Sequence, residues 1–190
     1  MGLKQLVKCV AGTLRGMLAG ARLGRGVYIG SRVHITNGGG LVLGDDVQIR
    51  PDVDLFAGEG GPMIGSRCDI IGERCRLCGD IVLGEAVLFG PDSYVSSEDH
   101  CYEDVSRAVM DQGTYTPRKN GHDELSIGEG SWVGTHCSII GDVHIGKHCV
   151  IGSNSVVTHD VADYCVVAGS PARVLKQWDA ETSRWVCGAR

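Results

Sequence analysis

The chain has 190 residues, enough for one domain with a full core, and carries a formal charge of -5 with 29 glycines and 5% aromatics. That acidic balance argues against a nucleic-acid protein, and no run of about eighteen apolar residues is present to span a bilayer. The nine cysteines include one lone CxxC, Cys75 and Cys78, without a matching second pair. Cys68, Cys137 and Cys149 read as buried small apolar residues in a reducing compartment rather than half-cystines, and a zinc site at the lone CxxC is disfavoured.

In chain order, Leu3, Leu6, Val7, Val10, Leu14, Met17 and Leu18 recur with i, i+3, i+4, i+7 spacing. They predict an amphipathic helix that ends among Gly20, Gly24 and Gly26. Residues 1–26 are read as a helical cap on the first coil of a repeat array, because the ends of such an array need cover. A foot on a membrane surface is the competing reading. A cleaved signal is disfavoured, since Arg15 interrupts the apolar stretch. Residues 1–44 hold Lys4, Lys8, Arg15, Arg22, Arg25 and Arg32 and no acid, which leaves a role towards an anionic ligand or surface open.

Residues 27–168 are organised by a period of six. From Ile127 the chain reads IGEGSW VGTHCS IIGDVH IGKHCV IGSNSV VTHDV. Ile127, Val133, Ile139, Ile145, Ile151 and Val157 open the blocks. Ser131, Cys137, Val143, Cys149, Ser155 and Val161 recur four places later, and Gly follows the opening residue in four of six blocks. Neither a helix nor a plain strand has this period. It predicts a parallel β-helix in which three blocks make one triangular coil and the large aliphatics fill the prism. The small positions, Cys68 among them, fill the corners, and Gly is expected to permit the bend. The pattern starts at Ile29, stumbles at Gly38–Gly40, resumes at Leu43 and bulges again before Ile64. About six coils precede residue 162, a prism of about 30 Å.

The repeat breaks after His100. Residues 101–126 show no period and are read as a flap leaving a rigid scaffold at one corner, the usual place for an active-site loop. Residues 169–190 are read as a C-terminal helix or tail. Pro171 stops the strand pattern, Ala172 to Trp178 is expected to be helical, and Trp178, Trp185 and Val186 are expected to pack back as a second cap.

These motifs resemble the hexapeptide-repeat acyltransferases, in particular the O-acetyltransferases of the galactoside/maltose type and of capsule and O-antigen clusters. The resemblance covers roughly residues 27–177. SSEDHCYEDV resembles the family's His-bearing loop, SWVGTHCSIIGDVHIG its following coil, and VVAGSPARVLK its exit from the helix. It implies an all-β solenoid, specifically a left-handed parallel β-helix with an N-terminal amphipathic helix and a C-terminal helical tail. It implies a homotrimer with acetyl-CoA in a groove between neighbours, a saccharide acceptor, no metal and no nucleic acid. A cytoplasmic place, at the inner face of the membrane if the N-terminal helix touches it, follows from a role in polysaccharide biosynthesis.

By the same match His100 is the catalytic base. Glu98 stands where several polysaccharide members carry a second His, and is assigned to the acceptor or to orienting the imidazole. Arg173 and Lys176 would contact the CoA phosphates, and Thr135, Ser153 and Thr158 would line the pantetheine and adenine path. His159 replaces a common Lys at another contact. Cys101 beside His100 suggests a covalent route, but neighbours in a strand face opposite ways. Antibiotic and serine acetyltransferases are runners-up, and a zinc-dependent, carbonic-anhydrase-like β-helix is a further alternative. Against the last, His136, His144, His148 and His159 include no pair stacked one coil apart, and His144 and His148 do not share a strand face.

Overall fold

A computed structural model of the chain describes residues 3–58, 61–70, 73–115 and 124–187, with side chains from residue 10 onward except that of Tyr115. It is a parallel β-helix with three flat walls. Wall 1 stacks Arg22–Leu23, Val42–Leu43, Met63–Ile64, Ile81–Leu83, Leu125–Ile127 and His144–Ile145. Wall 2 stacks Tyr28–Ile29, Gln48–Ile49, Asp69–Ile70, Leu88–Phe89, Trp132–Val133, Val150–Ile151 and Cys165–Ala168. Wall 3 stacks His34–Thr36, Asp54–Ala57, Arg76–Gly79, Tyr94–Ser96, Ser138–Ile140 and Val156–Val157. Six coils are complete, and a seventh is begun by a bridge from Val161 to Ile145. The first coil opens at Arg22, inside the stretch expected to be only cap.

The six-residue period gives this shape because each wall buries one aliphatic per coil. Ile29, Ile49, Ile70, Phe89, Val133, Ile151 and Val167 form one column, all at most 2% exposed. Phe89, at 0% exposure, is the largest fully buried side chain. The small residues do more than fill corners. Cys68, Cys137 and Cys149 sit at buried corners, and their thiols donate to carbonyls of the next coil, Gly84 (3.0 Å), Gly152 (3.3 Å) and Ala162 (3.1 Å). Ser131 Oγ does the same towards Gly146 O at 3.0 Å and accepts from Cys149 N. Backbone groups at the bends are thereby satisfied inside the prism.

The glycines act differently from expectation. The left-handed residue at the corner between walls 2 and 3 is Arg32, Asp52, Arg74, Asp92, His136 or Asn154, at φ between 55 and 65°. None of these is Gly. The Gly that follows each aliphatic is needed for close approach between coils: a Cβ on Gly128 would lie 2.6 Å from Gly146 C, and one on Gly134 would lie 2.8 Å from Ile151 O. The stacked corner residues alternate in charge instead. Arg32 pairs with Asp52 at 2.5 Å, Arg74 with Asp92 at 2.6 Å, and His136 lies 3.9 Å from Asp92.

Helix α1 (Leu3–Leu18) covers the first coil, but not with its apolar row. Buried Gly12 and Gly16 lie against Ile29 and Leu23, and Arg15 Nη1 donates to Gly30 O at 2.6 Å. Val10, Leu14, Met17 and Leu18 remain exposed. No helix among the described residues is long and apolar enough to cross a membrane.

The expected C-terminal helix is not there. Arg173–Asp179 runs antiparallel to Cys165–Ala168, and Arg184–Cys187 pairs with it in turn, so the tail extends wall 2 by two strands. Val174, Trp178, Trp185 and Val186 explain this: they are β-formers that pair across strands, with Trp178 and Trp185 edge-to-face at 5.6 Å. Both rings stay partly exposed, so they brace a hairpin rather than fold over the last coil as a cap.

Candidate active site

Three irregular insertions leave the corner between walls 3 and 1. They comprise the turn Gly38–Gly40, the stretch between Ala57 and Met63, and the long loop between Ser96 and Leu125. The exit of that loop is braced from inside. Ser97 N donates to Cys78 O at 3.1 Å, and Ser97 Oγ accepts from Asp80 N at 2.8 Å. Ser96 Oγ donates to Glu98 O at 2.8 Å. Both serines are buried. The loop is not featureless, as the sequence suggested. Asp99–His100 pairs antiparallel with Thr114–Tyr115, making a hairpin whose far end holds a 3-10 turn, Val109–Asp111. There Gln112 Nε2 donates to Asp104 O at 2.9 Å, and the Ser106 hydroxyl and amide hold the Asp104 carboxyl below its usual range. Residues 116–123 of the expected flap lie outside the described residues.

Between this hairpin and wall 3 lies a cavity of about 300 Å³. Its floor is the outer face of three successive coils, where Phe56, Cys78 and Ser96 stand in one register column and Arg76 and Tyr94 in the next. Glu98, Asp99, His100 and Thr114 form the side given by the loop. Arg76 lies over the Phe56 ring, 5.4 Å from its centre, and pairs with Asp54 at 3.1 Å. His100 is exposed at the rim. Asp99 Oδ1 accepts from the His100 backbone N–H at 2.8 Å. Burial pushes the Cys78 thiol up, the Glu98 charge adds to this, and the Arg76 charge opposes it. Cys78 is thus a protonated thiol at neutral pH.

Of the residues singled out in the sequence, Glu98 and His100 line this cavity together. The others lie elsewhere on the chain. Thr135 and Ser153 stack at the corner between walls 2 and 3, with Thr135 N donating to Ser153 Oγ at 3.2 Å. Thr158 ends wall 3 in the last complete coil, its Oγ1 3.0 Å from His159 Nδ1. Arg173 and Lys176 are exposed on the strand that replaces the expected helix. Their spacing of three would put them on opposite strand faces, but a bulge intervenes. Arg173 pairs with Ala168 and Lys176 with Val166, two residues apart, so both belong to the outward register of wall 2. Cys101 follows His100 in the hairpin and does not line the cavity. Phe56, Arg76, Cys78 and Tyr94 escaped sequence reasoning, because bulges of unequal length hide which residues stack. Cys75 is buried in the prism while Cys78 faces the cavity, so the lone CxxC does not act as a pair. Among the described residues, no three of His, Cys, Asp and Glu gather closely enough to hold a metal ion.

A parallel β-helix of six-residue repeats, three to a coil, with a His-bearing hairpin over an outer-wall cavity, is the class that fold and site define. Comparison with known proteins agrees with the fold. Residues 125–159 match the family model described as bacterial transferase hexapeptide, six repeats. The chain is 28% identical over 169 residues to a probable acetyltransferase, Rv3034c, of Mycobacterium tuberculosis, covering 85% of this chain and 53% of that protein. It is 32% identical over 100 residues to the galactoside O-acetyltransferase of Escherichia coli, covering 51% of this chain and 44% of that one. The chain thus spans about half the length of these curated relatives. Among solved structures, it is similar in fold to a variant of AntD, an N-acyltransferase from Bacillus cereus, in complex with dTDP-4-amino-4,6-dideoxyglucose and Coenzyme A. The TM-score is 0.73 at 19% identity, over 90% of each chain.

Proposed function

We propose that this chain is an acetyl-CoA-dependent O-acetyltransferase acting on a sugar hydroxyl, with His100 as the general base. The observation that carries the reading is the cavity itself. It has a solvent-accessible imidazole at the rim of a pocket of about 300 Å³, on a rigid wall, beside two carboxylates. The relatives named acetyltransferases and the AntD complex with CoA and a nucleotide-linked sugar support it.

In this mechanism a neutral His100 takes the proton of the acceptor hydroxyl as its oxygen attacks the thioester carbonyl carbon. The tetrahedral oxyanion collapses, the C–S bond breaks, and the imidazolium returns the proton to the CoA thiolate. Transfer is direct, within a ternary complex. Glu98 and Arg76 orient the saccharide, and the Phe56 ring offers it an apolar face. Arg173 and Lys176 hold CoA phosphates from the outward face of wall 2, and Thr135, Ser153 and Thr158 flank the rest of the cofactor. These groups do not surround one cavity in one chain, which fits a cofactor groove shared with a neighbour in a homotrimer. Outward Leu88, Trp132, Val150 and Val166 on wall 2 form an apolar row suited to such a contact. The role is in polysaccharide biosynthesis, in the cytoplasm where acetyl-CoA is made.

A second reading, transfer to the amine of an amino sugar, is favoured by the carboxylates Glu98 and Asp99 in the cavity. The nature of the product bond separates the two, since an ester is cleaved by mild alkali and an amide is not. The first test is calorimetric titration with acetyl-CoA. Wild type and His100→Ala are expected to bind alike, and Arg173→Ala/Lys176→Ala to lose binding. Thiol release with saccharide acceptors is expected to fall about 10²–10⁴-fold in His100→Ala. Failure of the wild type to bind any acyl-CoA overturns the reading.

A further inference from the structure

Helix α1 is amphipathic, yet it packs on the solenoid with the wrong face for a simple cap. Its contact with the first coil is made at Gly12 and Gly16, where a Cβ would collide with Ile29. Four apolar side chains point the other way: Val10 is 52% exposed, Leu14 53%, Met17 59% and Leu18 88%. Val10, Thr13, Leu14 and Met17 line a groove along this outer face. Helical spacing carries the row back through Leu3, Leu6 and Val7 of the sequence. Over the described side chains, residues 10–18, this is an apolar strip about 13 Å long at one end of the prism.

The charge beside the strip says what covers it. In the sequence, helical spacing puts Lys4 and Lys8 in one row beside the apolar positions, and the first 44 residues contain no carboxylate, while Arg15 is engaged by Gly30 O. Two copies facing strip to strip would bring these cations together with no acid in the same helix to pair them. A bilayer with anionic headgroups supplies both an apolar interior for the strip and phosphates for the flanking row. Because α1 ends the stack of coils, the strip faces away from the rest of the prism, so a flat surface can reach it.

We propose that α1 is a foot that seats the end of the β-helix on an anionic membrane surface, with its apolar row in the headgroup region. The proposal is independent of the acyl-transfer reading. The experiment is flotation of the full chain with phosphatidylcholine vesicles, with and without phosphatidylglycerol, at low and high salt. Wild type is expected to float with the anionic vesicles, and several-fold less with the neutral ones or at high salt. Leu14→Glu/Met17→Glu is expected to abolish flotation while keeping the wild-type melting temperature. Leu14→Gln/Met17→Gln serves if the charged pair impairs folding. Lack of wild-type flotation, or flotation that either pair leaves unchanged, overturns the proposal. So does a wild-type mass in sedimentation that falls in the variants while no vesicle is bound, since the strip would then be covered by a second copy.

Discussion

At the scale of the residue, position on the wall decides chemistry. Cys75 and Cys78 are three apart, but one is an inward corner and the other an outward strand position. Burial pushes the Cys75 thiol up to about 11, and Cys78 is also raised. A thiol so protonated is a poor nucleophile. Cys78→Ala is therefore expected to keep acyl transfer within a few-fold, and Cys78 to react slowly with alkylating agents at neutral pH. Loss of turnover comparable to that of His100→Ala would instead make the thiol part of the reaction. Phe89 is the largest side chain in the prism, stacked between Ile70 and Val133. Phe89→Ala leaves a void that neighbouring coils, held in register, are poorly able to close. A loss of about 3–5 kcal/mol is expected in chemical denaturation.

At the scale of the element, the coil is short of space rather than of flexibility. Gly134 shows this. Its φ is not in the left-handed region, but a Cβ there would lie 2.8 Å from both Ile151 O and Ser153 N of the next coil. Gly134→Val is expected to destabilise by about 1–3 kcal/mol. Because Thr135 and Ser153 share that corner, it is also expected to weaken acetyl-CoA binding more than His100→Ala does, as read by calorimetry. The tail makes a related point. The sequence from Ala172 has a proline before it and mixed polarity, which suits a helix start, yet it pairs as a strand. The open edge of Cys165–Ala168 offers backbone partners that outweigh a weak local helix preference.

At the scale of the whole molecule, stacking converts single charges into ladders. Arg32 and Asp52, and Arg74 and Asp92, form ion pairs between coils, and their hydrogen bonds hold both carboxyls below the usual range. A carboxyl with a depressed folded pKa stabilises above its unfolded value, about 3.9, and that stability is lost as pH falls through the lower folded value. Asp52→Asn/Asp92→Asn is thus expected to melt slightly below wild type at pH 7, and the gap to close on acidification below about pH 4. Since these pairs are exposed, high salt is expected to narrow the gap as well. A gap independent of both pH and salt would assign the loss to packing at the corner.

The hexapeptide period by itself determined the parallel β-helix and its inward aliphatic positions, because residues six apart take successive walls of one coil and each wall then stacks on the same wall of the next coil. The sequence puts the break in the period after His100, four residues late: the wall ends at Ser96, and Asp99–His100 already belongs to the hairpin. The tertiary structure alone decided what faces outward. Stacked positions lie 22 residues apart at Asp54 and Arg76 but 18 apart at Arg67 and Glu85, since bulges lengthen some coils and not others. No fixed spacing could therefore bring Phe56, Arg76 and Tyr94 to the side of His100. The same holds for α1, whose apolar periodicity is plain in the sequence. Only packing decided that two glycines, able to approach Ile29 closely, would take the inner face and leave the apolar row outside.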